Sequence, residues 1–109
     1  MTKGVRLDDE AENELLGAVG RYERVRPGLG AEFWDEAYAA LLKVEESPQI
    51  GTPILEADPR LNLRKSFVRR FPFLIVYCEL SDHTRVVAIA HVRKRPLYWI
   101  GRVEAADER

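Results

Sequence analysis

The sequence predicts an α+β domain in the order β-α-α-β-β-β, with a helical hairpin packed on one face of a mostly antiparallel sheet of three to four strands. Three observations carry this expectation. Two long segments on either side of Arg26-Pro27-Gly28-Leu29-Gly30 repeat apolar residues at helical spacing. Three later segments are rich in Val, Ile, Leu, Phe and Tyr and are divided by short breaks. With 109 residues the chain has room for one core, so both layers belong to a single domain over 1–109.

In chain order, Val5-Arg6-Leu7 is long enough only for an added fourth strand. Asp9, with Glu12 three residues on, resembles an N-capping arrangement, and Ala11, Leu15, Ala18, Val19 and Tyr22 set a first helix from Asp9 to Val25. Pro27 and the two glycines after it break the period. Phe33, Ala37, Tyr38, Leu41, Leu42 and Val44 restore it, and Ser47-Pro48 stops it, so a second helix covers Gly30 to Glu46. So short a turn makes the two helices an antiparallel hairpin. Their acids, among them Glu10, Glu14, Glu23, Asp35 and Glu36, read mostly as a solvated outer face. Gln49 to Arg60, with Gly51, Pro53 and Pro59, reads as an irregular crossing. Leu61 to Arg70, Pro72 to Leu80 and Thr84 to Val92 then form a meander. Its middle run, Phe73 to Cys78, is apolar on both faces, as a central strand is.

Composition narrows the function. Hydrophobic residues are 46% and charged residues 32% of the chain, which excludes compositional disorder. The longest apolar runs fall far below the roughly 20 residues that span a bilayer, so no membrane association is expected. The first residues lack the apolar stretch of a secretory signal, and Asp8, Asp9 and Glu10 argue against a transit peptide, which points to the cytoplasm. The single Cys78 permits no intrachain disulfide and reads as core. A net charge of -1 conceals an asymmetry: residues 1–58 sum to -7 and residues 59–109 to +6. A positive face suited to a polyanion or an acidic partner follows if the halves fold to different sides; solvated strand edges are the plainer alternative.

There is no Gly-rich phosphate loop, no GxSxG elbow and no HExxH or clustered His and Cys set, so neither metal nor cofactor is expected. His83 reads as turn chemistry. His91 opens His91-Val92-Arg93-Lys94-Arg95-Pro96-Leu97-Tyr98-Trp99, where an imidazole, three cations and two aromatics crowd into nine residues. That pattern suits phosphate contacts with base stacking, and equally a protein interface anchored by Arg, Tyr and Trp. Tyr98 and Trp99 closing the core is the third reading. Arg64, Lys65, Arg69 and Arg70 form a second basic cluster. If it converges with the first, a metal-free nuclease becomes conceivable, with Arg and Lys stabilising phosphate charge and His or Tyr handling the proton.

Over about residues 5–102 the chain resembles the RelE/ParE superfamily of bacterial type II toxin-antitoxin toxins, most closely its ParE-like, plasmid-stabilisation branch. The resemblance is carried by Tyr22-Glu23-Arg24-Val25-Arg26-Pro27-Gly28-Leu29-Gly30-Ala31-Glu32-Phe33 and Ser47-Pro48. It continues through Arg64-Lys65, Val68-Arg69-Arg70-Phe71-Pro72-Phe73, Ile75-Val76-Tyr77 and Ala88-Ile89-Ala90-His91 to Arg93, Pro96, Tyr98 and Trp99. The resemblance implies the same β-α-α-β-β-β fold and a cytoplasmic toxin neutralised by a cognate antitoxin, with operator DNA reached only through the antitoxin. It implies one of two targets: DNA gyrase, inhibited by binding, or the ribosome, where messenger RNA is cleaved. His91, Arg93 and Tyr98 match tail positions from which the nuclease branch draws catalytic groups. That branch tends to place an arginine where this chain has Leu74, and Arg69-Arg70-Phe71-Pro72 is more typical of ParE-like members. A gyrase-directed toxin is therefore favoured over a ribosome-dependent nuclease, and an inactive member that only binds its antitoxin is the third reading. For all three, Arg64, Lys65, Arg69, Arg70, Arg93, Arg95, Tyr98 and Trp99 are the expected target or antitoxin contacts.

Overall fold

The helical period is realised almost residue for residue. In the computed structural model, which describes residues 4–107, strand β1 (Gly4–Leu7) leads into α1 (Asp9–Val25) and α2 (Leu29–Glu46). Residues 1–3 and 108–109 of the expected domain lie outside the described residues. The cap differs from expectation. Asp8, not Asp9, stands before the first turn, and its carboxylate makes no cap bond because Arg85 holds it at 2.8 to 3.2 Å.

Small residues let the helices approach. At Gly30 an added Cβ would lie 2.6 Å from the Val19 carbonyl oxygen, closer than real contacts allow. The Glu23 carboxylate accepts from the N–H groups of Gly28 and Gly30 at 3.0 to 3.1 Å, so an acid at the end of α1 satisfies the start of α2. Gly28 sits at φ +91°, a left-handed conformation that glycine adopts freely.

The chain then forms β2 (Thr52–Pro53), a 3-10 turn over Pro59–Leu61, β3 (Leu63–Phe67), β4 (Phe73–Glu79), β5 (His83–His91) and α3 (Ile100–Asp107). The sheet order is β1-β5-β4-β3-β2, with β1 parallel to β5 and the remaining pairs antiparallel. The sheet thus has five strands rather than three or four. The added one, β2, lies in the segment read as loop, where Pro53 is tolerated because β2 is an edge. The first meander strand is shorter than expected. Arg70 at φ +73° and the bond from Val68 N–H to Phe73 O close the hairpin before residue 70.

The helical hairpin covers one face, where Tyr22, Phe33, Phe71 and Phe73 pack with ring centroids 4.9 to 6.2 Å apart beside Ile75, Tyr77, Val86 and Ile89. On the opposite face Val76, Cys78, Val87, Ala88 and Ala90 are covered by Ile54, Trp99 and Val103. Both faces are therefore largely covered, in keeping with the apolar run of β4 from Phe73 to Cys78. A bulge makes this possible on β5: Val76 pairs with Ala88 and Tyr77 with Val86, so Val87 is an extra residue facing the same side as Ala88. Helix α3, which was not expected, supplies Val103 to this second layer.

Two glycines one helix apart should respond oppositely to alanine. Gly30→Ala should destabilise by about 1–3 kcal/mol through overpacking. Gly20→Ala, whose added Cβ would meet only the mobile Arg24 guanidinium at 3.7 Å, should stabilise by about 0.5–1 kcal/mol. Urea unfolding midpoints measure both, and equal shifts would contradict the close crossing at Gly30.

Candidate functional site

The antiparallel register brings Phe73 opposite His91, and Val92 N–H bonds to Pro72 O at 2.9 Å, so the β3–β4 turn and the chain after β5 meet at one end of the sheet. Members of the two basic clusters of the sequence, Lys65 from one and Lys94 and Arg95 from the other, therefore converge. Between them, on the face away from the helical hairpin, lies a cleft of about 420 Å³. Its floor is Leu74, Val76 and Ala90, one wall is Ile54 and Glu56, and the other is the arm from Val92 to Trp99. Lys65, Lys94 and Arg95 stand around it. Arg69, Arg93 and Arg95 are exposed and have no acidic partner among the described residues.

The arm is held by Glu14. The edge of β5 beyond β1 has no neighbouring strand, and the Glu14 carboxylate accepts there from the Ile89 N–H at 3.0 Å. It also accepts the Tyr98 hydroxyl and both terminal nitrogens of Arg102 at 3.1 Å, while Arg102 donates to Val87 O at 2.9 Å. Lys94 and Arg102 both lie over the Tyr98 ring, at 5.2 and 5.4 Å. Burial, and then the Glu14 carboxylate, push the Tyr98 hydroxyl well above the ordinary tyrosine value near 10. A second, more polar cleft of about 250 Å³ opens beside this clasp, lined by Asn13, Arg21, His91 and Lys94.

Several residues read as contacts have other roles. Trp99 is 4% exposed and closes the second layer, so it offers no docking surface. Arg64 points its guanidinium at Gly51 O (2.6 Å) and at Gln49, and so pins the chain leaving α2. Arg70 pairs with Glu32 at 2.9 Å and Glu36 at 3.7 Å, tying the hairpin turn to α2. Lys65, Arg69, Arg93 and Arg95 remain available to a ligand.

The three residues matching nuclease positions are not equivalent. His91 shares the face of Phe73, its ring edge-on to that phenyl at 5.1 Å, and it walls both clefts. Its Nδ1 accepts from the Arg93 N–H at 3.0 Å, which occupies that lone pair and leaves Nε2 to carry the proton in the neutral ring. Tyr98 donates to Glu14 and is shifted away from ionisation, opposite to what a base requires. Arg93 is exposed. The arrangement can bind an anionic, partly apolar ligand, and neither His91 nor Tyr98 offers it a free proton acceptor. Among the described residues no group of His, Cys, Asp or Glu could hold a metal ion, and no helix is long and apolar enough to cross a membrane.

Glu14 was the residue missed. It lies three after Ala11 and four before Ala18, on the buried stripe, and an acid at that spacing is the signal that separates it from its solvated neighbours. Glu23 likewise leaves the outer-face group to hold Gly28 and Gly30.

No protein-family model and no curated protein sequence matches the chain. Among solved structures it is similar to a chain of the "Chromosomal ParDE TA system from P. aeruginosa", with a TM-score of 0.71 and 13% identity over 84% of this chain and 97% of that one. That likeness establishes a shared fold, the α+β arrangement expected from the sequence.

The raised Tyr98 has a testable sign. Unfolded chains lose the tyrosine proton near pH 10 while the folded state retains it, so stability should fall as pH rises above that point. Burial shifts Tyr22, Tyr77 and Cys78 in the same direction. Tyr98→Phe should lower stability at neutral pH by about 1 kcal/mol, from the lost hydrogen bond, and flatten the alkaline decline. Urea midpoints across a pH series decide this; an unchanged alkaline slope would contradict the clasp.

Proposed function

We propose that the chain is the toxin of a bacterial type II toxin-antitoxin pair, that a cognate antitoxin covers its basic cleft, and that it arrests growth as a binding inhibitor directed at DNA gyrase. The observation that carries this reading is the cleft itself, an apolar floor with Lys65, Lys94 and Arg95 around it and no free proton acceptor on His91 or Tyr98. An acidic segment with apolar side chains is the complementary occupant: its carboxylates meet the cations while its apolar groups fill the floor. The shared fold with a chain of a ParDE system supports the toxin assignment, and a cytoplasmic location is part of the same proposal. Operator DNA is reached through the antitoxin.

Binding is favoured over cleavage on chemical grounds. Of the residues at nuclease-like positions, Tyr98 is held by Glu14 and His91 Nδ1 accepts from the Arg93 N–H, which supports binding; the exposed Glu56 carboxylate on the cleft wall is the acceptor that cleavage would have to use. Leu74, on the cleft floor, adds apolar surface where the resembling nucleases tend to carry an arginine.

Two measurements test the proposal. On induction of this chain alone in a bacterial culture, growth should stop and plasmid supercoiling should change without new messenger RNA ends inside codons. Such ends would establish the ribosome-dependent nuclease instead, and undisturbed growth would mark an inactive, antitoxin-binding member. Lys65→Glu with Arg95→Glu should weaken the complex with the product of the adjacent reading frame at least tenfold in a calorimetric titration. Arg70→Glu is a poor probe because it also breaks the tie to Glu32.

A further inference from the structure

The helical hairpin carries a second surface that the cleft does not account for. Trp34, Tyr38 and Leu42 follow one another at four-residue spacing along α2 and are 42%, 53% and 39% exposed, although each is a large apolar residue. Leu16 of α1, 53% exposed, belongs beside them. Val19 and Glu23, three and seven residues after Leu16, are the groups that meet Gly30, so Leu16 lies on the stripe of α1 turned toward α2. In an antiparallel hairpin it then stands level with the turn of α2 that bears Trp34 and Tyr38. Four large apolar side chains in one outward patch exceed what a solvated helix face needs.

Charge selects the occupant. Glu12 stands one turn before Leu16, Asp35 follows Trp34, and Glu46 lies one turn beyond Leu42; all three are exposed and have no ion pair with another described residue. Lys43 is the sole base on α2, and the nearby Arg21 of α1 lines the cleft beside His91 instead. Two copies of this patch placed together would oppose acid to acid. We infer that the Leu16–Trp34–Tyr38–Leu42 patch is a docking surface for a basic amphipathic helix of a partner protein, whose apolar stripe packs on these four side chains while its Lys and Arg residues meet Glu12, Asp35 and Glu46. This surface belongs to the helical layer, whereas the cleft opens on the opposite face of the sheet, so an occupant of each can be held at once.

The test uses the full chain and synthetic helical peptides. The chain has two tryptophans, and Trp99 lies buried beside the cleft, so the part of an emission change that is lost in Trp34→Phe reports the helical patch. A leucine-lysine peptide with its leucines on one face should bind saturably and shift the emission to the blue. Its scrambled isomer and its leucine-glutamate counterpart should bind at least tenfold more weakly. Tyr38→Ser with Leu42→Ser should weaken the leucine-lysine peptide at least tenfold with the circular dichroism unchanged, Tyr38→Ala should do so in part, and Phe67→Ser on the cleft side should have no effect. Equal binding of the scrambled isomer, full affinity in the Tyr38 and Leu42 variants, or a Trp34-dependent dimer in sedimentation would overturn the proposal.

Discussion

The architecture depends on one carboxylate placed where a strand is missing. Strand β1 ends at Leu7, level with Val86, and leaves the rest of the β5 edge without a partner. Glu14 and Arg102 take the strand's place, the first accepting from Ile89 N–H and the second donating to Val87 O. A half-buried ion pair is a poor source of stability in general, because the desolvation penalty rivals the attraction. Here both oxygens of Glu14 are filled by directed donors, and Arg102 has backbone as well as carboxylate to bond. The pair therefore acts as a joint that fixes α1, the sheet edge and the C-terminal arm in one geometry.

That joint decides what the arm can do. With Tyr98 bound to Glu14 and Trp99 buried under the sheet, the arm from His91 is folded back, and its cations are what remains outside. The opposite signs of the two halves of the chain are thus partly spent inside the molecule. Asp8 with Arg85, Glu14 with Arg102, and Glu32 with Arg70 each join an acid of the first half to a base of the second. Lys65, Lys94 and Arg95 among the bases left over stand around the cleft, and the acids left over lie mostly on the helices, Glu56 on the cleft wall being an exception. A sequence-level asymmetry becomes first a set of ties across the fold and then, in its remainder, two faces of opposite sign.

The helices were legible because their signal is local. Seventeen and eighteen residues of periodic burial, a Pro-Gly break and a Ser-Pro stop are all contained in the segments themselves. The central strand was legible for the same reason, being apolar on both sides. What escaped depends on partners distant in sequence. The parallel pairing of β1 with β5 joins residues almost eighty positions apart. Strand β2 is two residues long, and its identity lies in the register of β3. The early end of β3 rests on Arg70 in a left-handed conformation, for which arginine gives no warning. Helix α3 shows only Ile100 and Val103 at helical spacing, after a run of cations that draws attention to ligand binding. Likewise Arg64, Arg70 and Trp99 look like contacts in a sequence, since a cation or an aromatic reads alike whether it meets a ligand or its own chain.

The division into two faces also constrains how this protein meets others. A molecule with a positive cleft on one side and an acidic, aromatic helical face on the other presents opposite potentials across the thickness of a single sheet, so charged partners are oriented before contact. On the two proposals above, an acidic segment would favour the cleft over the helices, and a basic helix the reverse. The clasp at Glu14 joins α1 to the β5 edge and the arm, and the crossing at Gly30 joins α1 to α2, so each layer is tied by contacts of its own. On that reading specificity rests on complementary sign and on apolar shape, while Glu14 and Tyr98 both fix the arm and line the smaller cleft.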